Sequence, residues 1–384
     1  MPQPLRVAVL GSTGSVGRQA LDVIRQLPER FAVTALAAGR NTDELARQVA
    51  EFRPRFACAE AESPALRDAM AASGTRTASM DDMAVAPDVD ILLVATAGAA
   101  GLTPTLAALR AGRPVAIANK EVLVMAGHLV RQAMIAGGGE LRPVDSEHSA
   151  IWQCLWGEEQ HEIRRILLTA SGGAFRDFDA AQLAAVTPEQ ALNHPTWNMG
   201  TKITVDSASL MNKGMETIEA TWLFDVSMEK VEVVLHRESI VHSLVEFSDG
   251  SVKAQLGVPD MRLPIQCALA YPERMPVPPA PPLDLARLGS LNFGEPDMTR
   301  FPCLRLAMQA GERGGTYPAV MAAADEVAVG RFLAREIGFL DIPRIIEDTL
   351  NRHDPVADPD LDTVLEADAW ARGAAREVAV GAAR

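Results

Sequence analysis

The sequence has no long uncharged apolar run, and this excludes a protein with membrane-spanning helices. No apolar stretch in its 384 residues approaches the ~18 residues that a membrane-spanning helix requires. Neither a charged-then-apolar signal region nor an Arg/Ser-rich transit segment precedes the strand-like LRVAVL of residues 5–10. We therefore expect a cytoplasmic protein with no membrane partner.

Cysteine pairs, lysine and positive charge are also scarce. The four cysteines are far apart and form no CxxC pair, which disfavours a zinc cluster and a disulfide framework. The net charge is −14 and no Lys/Arg-rich face stands out, so a nucleic-acid partner is not expected. Only five of the 36 basic residues are lysines. Three of them, Lys120, Lys202 and Lys213, lie in the motifs described below.

The order of the apolar segments predicts an α/β protein. Over residues 1–141, strand-like runs (LRVAVL, FAVTALAA, ILLVATAG and PVAIAN) alternate with amphipathic stretches such as RQALDVIRQL. This alternation is typical of a parallel sheet with helices on both faces. Residues 142–270 mix helix with β-rich segments (VEVVLH, SIVHSLVEF and SVKAQLG), and Ser248-Asp249-Gly250 is a hairpin-turn signal. We predict a central α+β catalytic domain there.

A proline-rich stretch separates these domains from the C-terminal part. Residues 272–282 (PERMPVPPAPP) hold six prolines, which favour an extended semi-rigid spacer, and we assign 271–298 as a linker. Beyond it, four segments have apolar residues at a 3.6-residue period without strand signals. Residues 299–384 are therefore predicted to form a C-terminal α-helical bundle.

The first motif is GSTGSVG at residues 11–17, between a predicted strand and a predicted helix. Glycines permit a tight turn and close backbone approach, and the free N–H groups of a helix start attract a pyrophosphate. The pattern favours a Rossmann-like dinucleotide-binding domain over residues 1–141. The spacing is GxxGxxG and not GxGxxG, so a plain strand–helix turn is an alternative.

Gly39-Arg40-Asn41 follows the second predicted strand. At this point an NAD-binding fold places an acidic residue for the ribose hydroxyls, whereas an Arg accommodates a 2′-phosphate. Arg40 therefore indicates NADPH as the cofactor. A solvated loop arginine is the alternative.

Two polar groups follow the later strands of this domain. Asn119-Lys120-Glu121 comes at the expected carboxyl end of the sheet, where ligands of such folds collect, although a helix-capping Asn explains it nearly as well. In PVDSEHSA, Asp145 and Glu147 would point the same way in an extended chain. Two such carboxylates repel unless a cation lies between them, and hard oxygen ligands suit Mg²⁺ or Mn²⁺. A helix N-cap with an acidic first turn is the alternative.

The stretch HPTWNMGTKITVDSASLMNKGME, residues 194–216, combines a loop with a polar helix. Asp206 and Ser207 resemble a helix start, and Asn212 and Glu216 are four residues apart, so they share one helix face. Gly214 costs about 1 kcal/mol in a helix interior, which suggests close approach by another group. Upstream, Ser171 with two glycines forms another loop able to wrap a phosphate.

These motifs together resemble the 1-deoxy-D-xylulose 5-phosphate reductoisomerase family. The resemblance rests on GSTGSVG, AGRN, ANKE, VDSEH, SGGAF, the 194–216 stretch and PDMR in this order, and it covers nearly the whole chain. It implies conversion of 1-deoxy-D-xylulose 5-phosphate to 2-C-methyl-D-erythritol 4-phosphate, the committed step of the non-mevalonate isoprenoid pathway. It also implies NADPH, a divalent cation (Mn²⁺, Mg²⁺ or Co²⁺) and a homodimer.

The resemblance assigns roles to individual residues. The metal ligands it implies are Asp145, Glu147 and Glu216. The substrate-binding residues it implies are Lys120, Ser146, Glu147, Ser171, His194, Ser207, Asn212, Lys213 and Glu216. The cofactor-binding residues it implies are Thr13, Gly14, Ser15, Val16, Gly39, Arg40, Asn41, Asn119, Glu121 and Gly200. The catalytic residues we assign are Lys120, Glu147, His148, His194 and Trp197.

The chain departs from the family pattern in places. Arg237-Glu238 stands where Pro-Gln is usual, and Asp325 stands where Asn is common. Two other classes of function stay open at this point. One is a metal-independent NADPH-dependent dehydrogenase of a small phosphorylated substrate, and the other is a cofactor-binding regulatory protein without catalysis.

Residues 194–200 have no strong helix or strand pattern, and Pro195 and Gly200 could act as pivots. We predict that this segment is a lid that closes over substrate. Trp197 and Met199 would then cover the pocket with apolar surface and exclude water. The alternative is that Trp197 is a core residue.

Overall fold

The computed structural model describes residues 3–379, which form two compact units. Unit 1 consists of residues 3–122, 128–149 and 260–282, and unit 2 of residues 123–127, 150–259 and 283–379. The division into four regions given above follows sequence character and remains a proposal. None of the helices in the described chain is long and apolar enough to cross a membrane.

Unit 1 contains a parallel sheet with strand order β4-β3-β2-β1-β5-β6-β7. The strands are β1 (Leu5–Leu10), β2 (Phe31–Ala38), β3 (Phe56–Ala59), β4 (Arg76–Thr77), β5 (Ile91–Val94), β6 (Val115–Ile117) and β7 (Leu141–Pro143). Every residue of β5 is buried, as expected for a short apolar strand covered on both faces. The predicted parallel sheet is confirmed, although β3 and β4 were not predicted.

Helices connect these strands. They are α1 (Ser15–Gln26), α2 (Thr42–Phe52), α3 (Pro64–Ser73), α4 (Met80–Val85), α5 (Leu102–Arg110), α6 (Lys120–Gly137) and α7 (Ser146–Cys154). Residues 123–127 of α6 and 150–154 of α7 belong to unit 2. In α1 the buried Ala20, Leu21 and Ile24 recur at helical spacing, which directs one apolar face into the core.

The core of unit 1 lies between the sheet and its covering helices. Val7, Val9 and Leu36 of the strands are buried in one cluster with Ile265 and Leu269. The last two belong to α12 (Arg262–Ala270), which comes much later in the sequence than the strands of this sheet. β1 and β2 pair in parallel along Leu5–Leu10, with one register irregularity between Val7 and Ala8.

Unit 2 contains a mixed sheet with strand order β11-β10-β8-β9-β12. The strands are β8 (Ile163–Ala170), β9 (Val231–His236), β10 (Val241–Phe247), β11 (Val252–Leu256) and β12 (Phe293–Gly294). β8 pairs with β9 in parallel, and the other pairs are antiparallel. The predicted β10–β11 hairpin is confirmed, with Gly250 in the turn at φ +85°.

Two groups of helices accompany this sheet. The first is α8 (Ala180–Leu183), α9 (Pro188–Ala191), α10 (Thr201–Ser209) and α11 (Met211–Phe224). The second is α13 (Leu285–Leu288), α14 (Pro302–Arg313), α15 (Tyr317–Leu333), α16 (Asp341–Arg352) and α17 (Leu361–Glu377). The four segments predicted to be helical after the linker are α14 to α17, so the helical C-terminal region is confirmed. The linker itself contains α13 and β12.

Two local predictions are wrong. The helix predicted to start near Asp206 starts at Thr201, because Gly200 is its N-cap and the buried Val205 and Ala208 extend its apolar face. The VDSEH segment is not extended after Asp145, since residues 146–154 form α7 with Ala150, Ile151 and Cys154 buried on one face. Glu147 lies in the first turn of this helix. The extended-chain reason for pairing it with Asp145 therefore fails.

Candidate active site

The glycine-rich turn of unit 1 has positions where a side chain would clash with the neighbouring backbone. Gly11 has φ +86°, and a Cβ atom there would lie 2.3 Å from the Ala95 carbonyl oxygen. A Cβ atom on Gly17 would lie 2.2 Å from the Gly11 carbonyl oxygen. The glycines thus let the start of α1 press against the end of β1, which is the backbone arrangement that binds a pyrophosphate. Gly14 is the N-cap of α1, and none of the described side chains caps this helix.

The end of β2 lies beside this turn. The N–H groups of Gly11 and Ser12 both donate to the Ala37 carbonyl, at 2.8 and 2.9 Å. Ser12 Oγ donates to Gln48 Oε1 of α2 at 2.7 Å, which ties α2 to the glycine-rich turn. Arg40 follows β2 with its side chain exposed.

The predicted cofactor residues of unit 1 fall into two groups. Thr13, Gly14, Ser15 and Val16 lie at the carboxyl end of β1, and Gly39, Arg40 and Asn41 lie at the carboxyl end of β2. Asn41 also caps α2, because its Oδ1 accepts from the Glu44 N–H at 3.3 Å.

Asn119 and Glu121 lie at the start of α6. Asn119 Oδ1 accepts from the Val122 N–H at 3.1 Å, so this residue is the helix cap that the sequence offered as an alternative. Its Nδ2 donates to the carbonyls of Thr96 and Gly98, at 3.0 and 2.9 Å. The polar atoms of this buried side chain therefore hold the loop after β5. Gly200, the remaining predicted cofactor residue, lies in unit 2.

A charged cluster lies at the ends of β6 and β7 in unit 1. The ammonium of Lys120, the first residue of α6, pairs with Asp145 Oδ2. His148 Nδ1 lies 3.5 Å from the same oxygen, and the His148 side chain is fully buried. Ser146 Oγ donates to Glu147 Oε2 at 2.6 Å. The structure thus brings Lys120, Asp145 and His148 together.

In unit 2, the loop after β8 places Ser171 beside His194. Ser171 Oγ lies 3.0 Å from His194 Nε2 and accepts from the Gly173 N–H at 3.2 Å. Gly172 and Gly173 have φ values of +82° and +70°. A Cβ atom on Gly173 would lie 2.4 Å from the Ser207 carbonyl oxygen, so the loop packs directly on α10. Ser171, His194 and the backbone of Ser207 are therefore brought together.

The contacts of His194 define its tautomer. Nδ1 accepts from the N–H groups of Thr196 and Trp197, at 3.1 and 2.9 Å. The neutral ring therefore carries its proton on Nε2 and donates it towards Ser171 Oγ. Burial, with a smaller contribution from the positive charge of Arg176, lowers the pKa of His194 to about 4. His194 is thus a neutral donor at neutral pH.

The polar residues of α11 surround one carboxylate. Asn212 Nδ2 donates to Glu216 Oε1 at 2.6 Å, which confirms that these residues share a helix face. The ammonium of Lys213 pairs with Glu216 Oε2, and both side chains are buried. Gly214 faces α14, where a Cβ atom would lie 2.4 Å from Ala307 Cβ. The close approach predicted from this glycine is therefore made by a neighbouring helix.

The 194–200 segment has no helix or strand. Trp197 is partly exposed, and its ring centroid lies 6.1 Å from that of His242. Met199 is also partly exposed. The partial exposure of Trp197 differs from the burial that a core tryptophan would have, whereas the lid motion itself stays a prediction.

One residue near this loop was not selected from the sequence. Arg176 Nη1 donates to the Ser171 carbonyl at 2.8 Å, and its charge acts on His194. In the sequence, Arg176 is only a basic residue five positions after Ser171. Arginine is too common in this chain for one such residue to indicate a functional site.

Comparison with known proteins shows the family of the chain. A family model described as 1-deoxy-D-xylulose 5-phosphate reductoisomerase matches residues 7–127. Two models described as C-terminal domains of the same enzyme match residues 141–224 and 256–374. The enzyme of this name from Pelotomaculum thermopropionicum is 51% identical over 373 residues, which cover 95% of this chain and 96% of that protein. The one from Geobacillus kaustophilus is 51% identical and covers 97% and 99%.

Solved structures give the same result at the level of the fold. The reductoisomerase from Zymomonas mobilis in complex with NADPH is 44% identical, with a TM-score of 0.89 over 98% of both chains. A reductoisomerase structure with NADPH, fosmidomycin and magnesium is 39% identical, with a TM-score of 0.89 over 97% of both chains. On this evidence the chain belongs to the 1-deoxy-D-xylulose 5-phosphate reductoisomerase family.

Proposed function

We propose that the residues described above carry out the family's reaction in this chain. That reaction is the NADPH- and divalent-metal-dependent rearrangement and reduction of 1-deoxy-D-xylulose 5-phosphate to 2-C-methyl-D-erythritol 4-phosphate, a step of non-mevalonate isoprenoid precursor biosynthesis. The observation that carries the proposal is the 51% identity over 95% of the chain to an enzyme of this name.

The residues of unit 1 fit NADPH. The backbone of Thr13 to Val16 would hold the pyrophosphate, because Gly11 and Gly17 leave room for close approach. Arg40 is exposed at the end of β2, where its guanidinium can pair with a 2′-phosphate. Gly39, Asn41, Asn119, Glu121 and Gly200 complete the proposed cofactor set, with Asn119 acting through the loop it holds.

Asp145, Glu147 and Glu216 fit a divalent metal by the chemistry of their donor atoms. Carboxylate oxygens are hard ligands that suit Mg²⁺ and Mn²⁺. Asp145 and Glu216 each pair with a lysine, so each already offers carboxylate oxygens to a cationic partner. When bound, the cation would polarise the substrate ketone as a Lewis acid. Lys120, Ser146 and His148 would orient the reacting carbons.

Unit 2 offers donors for the phosphate end of the substrate. Ser171 Oγ and His194 Nε2 are within hydrogen-bond distance of each other and would both turn to phosphate oxygens. Asn212, Lys213 and Ser207 complete the proposed set. His194 also links the phosphate to the 194–200 segment, because its Nδ1 holds the backbone of Trp197. Closure of this segment would exclude water from the reacting atoms.

A test of the metal assignment separates cofactor binding from turnover. Glu216→Gln removes the charge of the third ligand while keeping its shape. We expect loss of Mg²⁺-dependent turnover with NADPH affinity unchanged, because the proposed nucleotide site lies mainly in unit 1. Glu229→Gln, at an exposed position soon after α11, is the matched control. Full activity in Glu216→Gln would remove this residue from the metal site.

We also propose the cytoplasmic homodimer that the resemblance implies, and the use of Mn²⁺ or Co²⁺ in place of Mg²⁺. Light scattering at micromolar concentration measures the mass in solution. A value near twice the 41.1 kDa of one chain is expected, and a monomer mass would contradict the dimer.

A further inference from the structure

The loop that carries Ser171 is held by a guanidinium outside the residues assigned above. Arg176 Nη1 donates to the Ser171 carbonyl at 2.8 Å and, more weakly, to the Arg237 carbonyl at 3.4 Å. A Cβ atom on Gly172 would lie 3.0 Å from Arg176 Cβ, so the arginine packs directly against the loop. The Arg176 side chain is 20% exposed. It therefore supports the Ser171–Gly172 peptide from close range.

The nearest carboxylate to Arg176 is engaged elsewhere. Asp177 Oδ2 lies 3.7 Å from Arg176 Nε, outside hydrogen-bond distance. Arg237 binds both oxygens of the same carboxylate, at 2.5 and 3.0 Å. The pKa of Asp177 is lowered, with Arg237 as the largest cause and Arg176 a smaller one. Arg237 is thus the main partner of Asp177, whereas Arg176 makes its hydrogen bonds to the Ser171 and Arg237 carbonyls.

The other cations of this region are closely matched by acids. Lys213 is paired with Glu216, and Lys202 donates to Asp206 at 2.6 Å and to Asp325 at 2.7 Å. Hydrogen bonds to phosphate are stronger when they are charge-assisted, so a further cation beside the Ser171 loop would add to the donors already assigned there. Arg176 is such a cation, since its guanidinium binds the Ser171 carbonyl at 2.8 Å.

We propose that Arg176 is a positioning residue for phosphate recognition, acting through the Ser171 carbonyl, and that Arg237 maintains this role by holding Asp177. The proposal rests on the assignment of Ser171 and His194 as the phosphate site. It also gives a role to Arg237, which stands where the family pattern usually has Pro.

The first experiment compares Arg176→Met with Arg176→Lys. Loss of the charge should raise the KM for 1-deoxy-D-xylulose 5-phosphate about 10-fold or more, as expected when a charge-assisted contact is removed. It should weaken competitive inhibition by inorganic phosphate by a similar factor, with kcat and the KM for NADPH within about threefold of wild type. Arg176→Lys should recover part of both losses. Arg305→Met, at a partly exposed position on α14, is the control.

The second experiment tests the charge relationship with Asp177. Arg237→Gln releases Asp177 to compete for Arg176, which should raise the KM about two- to fivefold, the range of an exposed ion pair. Adding Asp177→Asn to this variant should return the KM to the wild-type value. If Arg237 and Asp177 only brace the loop, the double variant will be no better than Arg237→Gln, and the proposal for Arg237 fails.

A Ser171→Ala variant distinguishes failure of the phosphate-site assignment from failure of the proposed role of Arg176. If it leaves the KM and phosphate inhibition unchanged, the phosphate site itself is misassigned. If it raises both while Arg176→Met changes neither, the site stands and the role of Arg176 is refuted. A fall in kcat and in melting temperature for Arg176→Met, with phosphate inhibition unchanged, also refutes it, because that pattern reports a structural role alone.

Discussion

Substitution of Gly173 by Ala is expected to disturb the proposed phosphate site through the backbone alone. The residue has φ +70°, a region that costs a residue with a side chain roughly 1–2 kcal/mol. The added Cβ atom would also lie 2.4 Å from the Ser207 carbonyl oxygen and 2.7 Å from Ala208 Cα. Both are backbone atoms of α10 and cannot rotate away. Since Cβ contacts under 3.0 Å essentially never occur, the loop must move by at least 0.6 Å.

The kinetic consequence follows from the position of the loop. Gly173 donates its N–H to Ser171 Oγ at 3.2 Å, so displacement of the loop moves the hydroxyl that faces His194. A misplacement of about 1 Å can reduce a rate by roughly 100-fold. We therefore expect roughly a 10- to 100-fold loss of kcat/KM for 1-deoxy-D-xylulose 5-phosphate, measured as NADPH oxidation.

Gly250→Ala is the matched control for this variant. Gly250 has φ +85° in the β10–β11 turn, and nothing lies within 4 Å of its added Cβ atom. Both variants should lower the melting temperature through the backbone penalty, but only Gly173→Ala should lower kcat/KM. A Gly173→Ala enzyme with kcat/KM within twofold of wild type would refute the proposed loop geometry.

Three further predictions use other parts of the chain. Arg40→Asp should reduce the preference for NADPH over NADH, because it removes a contact with the 2′-phosphate worth roughly 1.5–3 kcal/mol. The control Arg47→Asp, at an exposed position on α2, should leave this preference unchanged. An unchanged ratio in Arg40→Asp would show that Arg40 does not bind the 2′-phosphate. Because the folded-state pKa of His194 is about 4, below its ordinary 6.5, the unfolded chain binds more protons between these values. Wild type should therefore lose stability relative to His194→Asn as the pH falls from 6.5 to 4, and parallel melting curves across that range would contradict this. Trp197→Ala should lose turnover with little loss of folding stability, whereas truncation of a core tryptophan would cost about 3–5 kcal/mol. NADPH plus a phosphonate substrate mimic should suppress proteolysis between His194 and Gly200. Equal cleavage with and without these ligands would argue against a lid.

The sequence predicted the elements whose signals are local. Strands β1 and β2 are mostly apolar, and the turn between β1 and α1 has glycines where the backbone approaches other backbone atoms closely. The C-terminal helices have a regular apolar period, so their existence and order were predictable. β4 is two exposed residues long and has no such signal.

Features that depend on tertiary packing could not be predicted from the sequence. Asp145 and Glu147 fit an extended chain by spacing, but burial of Ala150, Ile151 and Cys154 favours helix α7. The placement of residues 260–282 in unit 1 depends on Ile265 and Leu269 packing in a core that includes Val7 and Leu36, which lie far earlier in the sequence. The contact of Arg176 with the Ser171 carbonyl depends on a loop conformation set by two left-handed glycines. No local pattern encodes these contacts.

The most direct test of the account is NADPH oxidation by the purified protein in the presence of 1-deoxy-D-xylulose 5-phosphate, measured after chelation and again after Mg²⁺ is restored. The proposed carboxylate site predicts that oxidation requires substrate and metal together, and that one 2-C-methyl-D-erythritol 4-phosphate forms for each NADPH consumed. Oxidation that continues undiminished after chelation, or that is absent with substrate and Mg²⁺ both present, would contradict it.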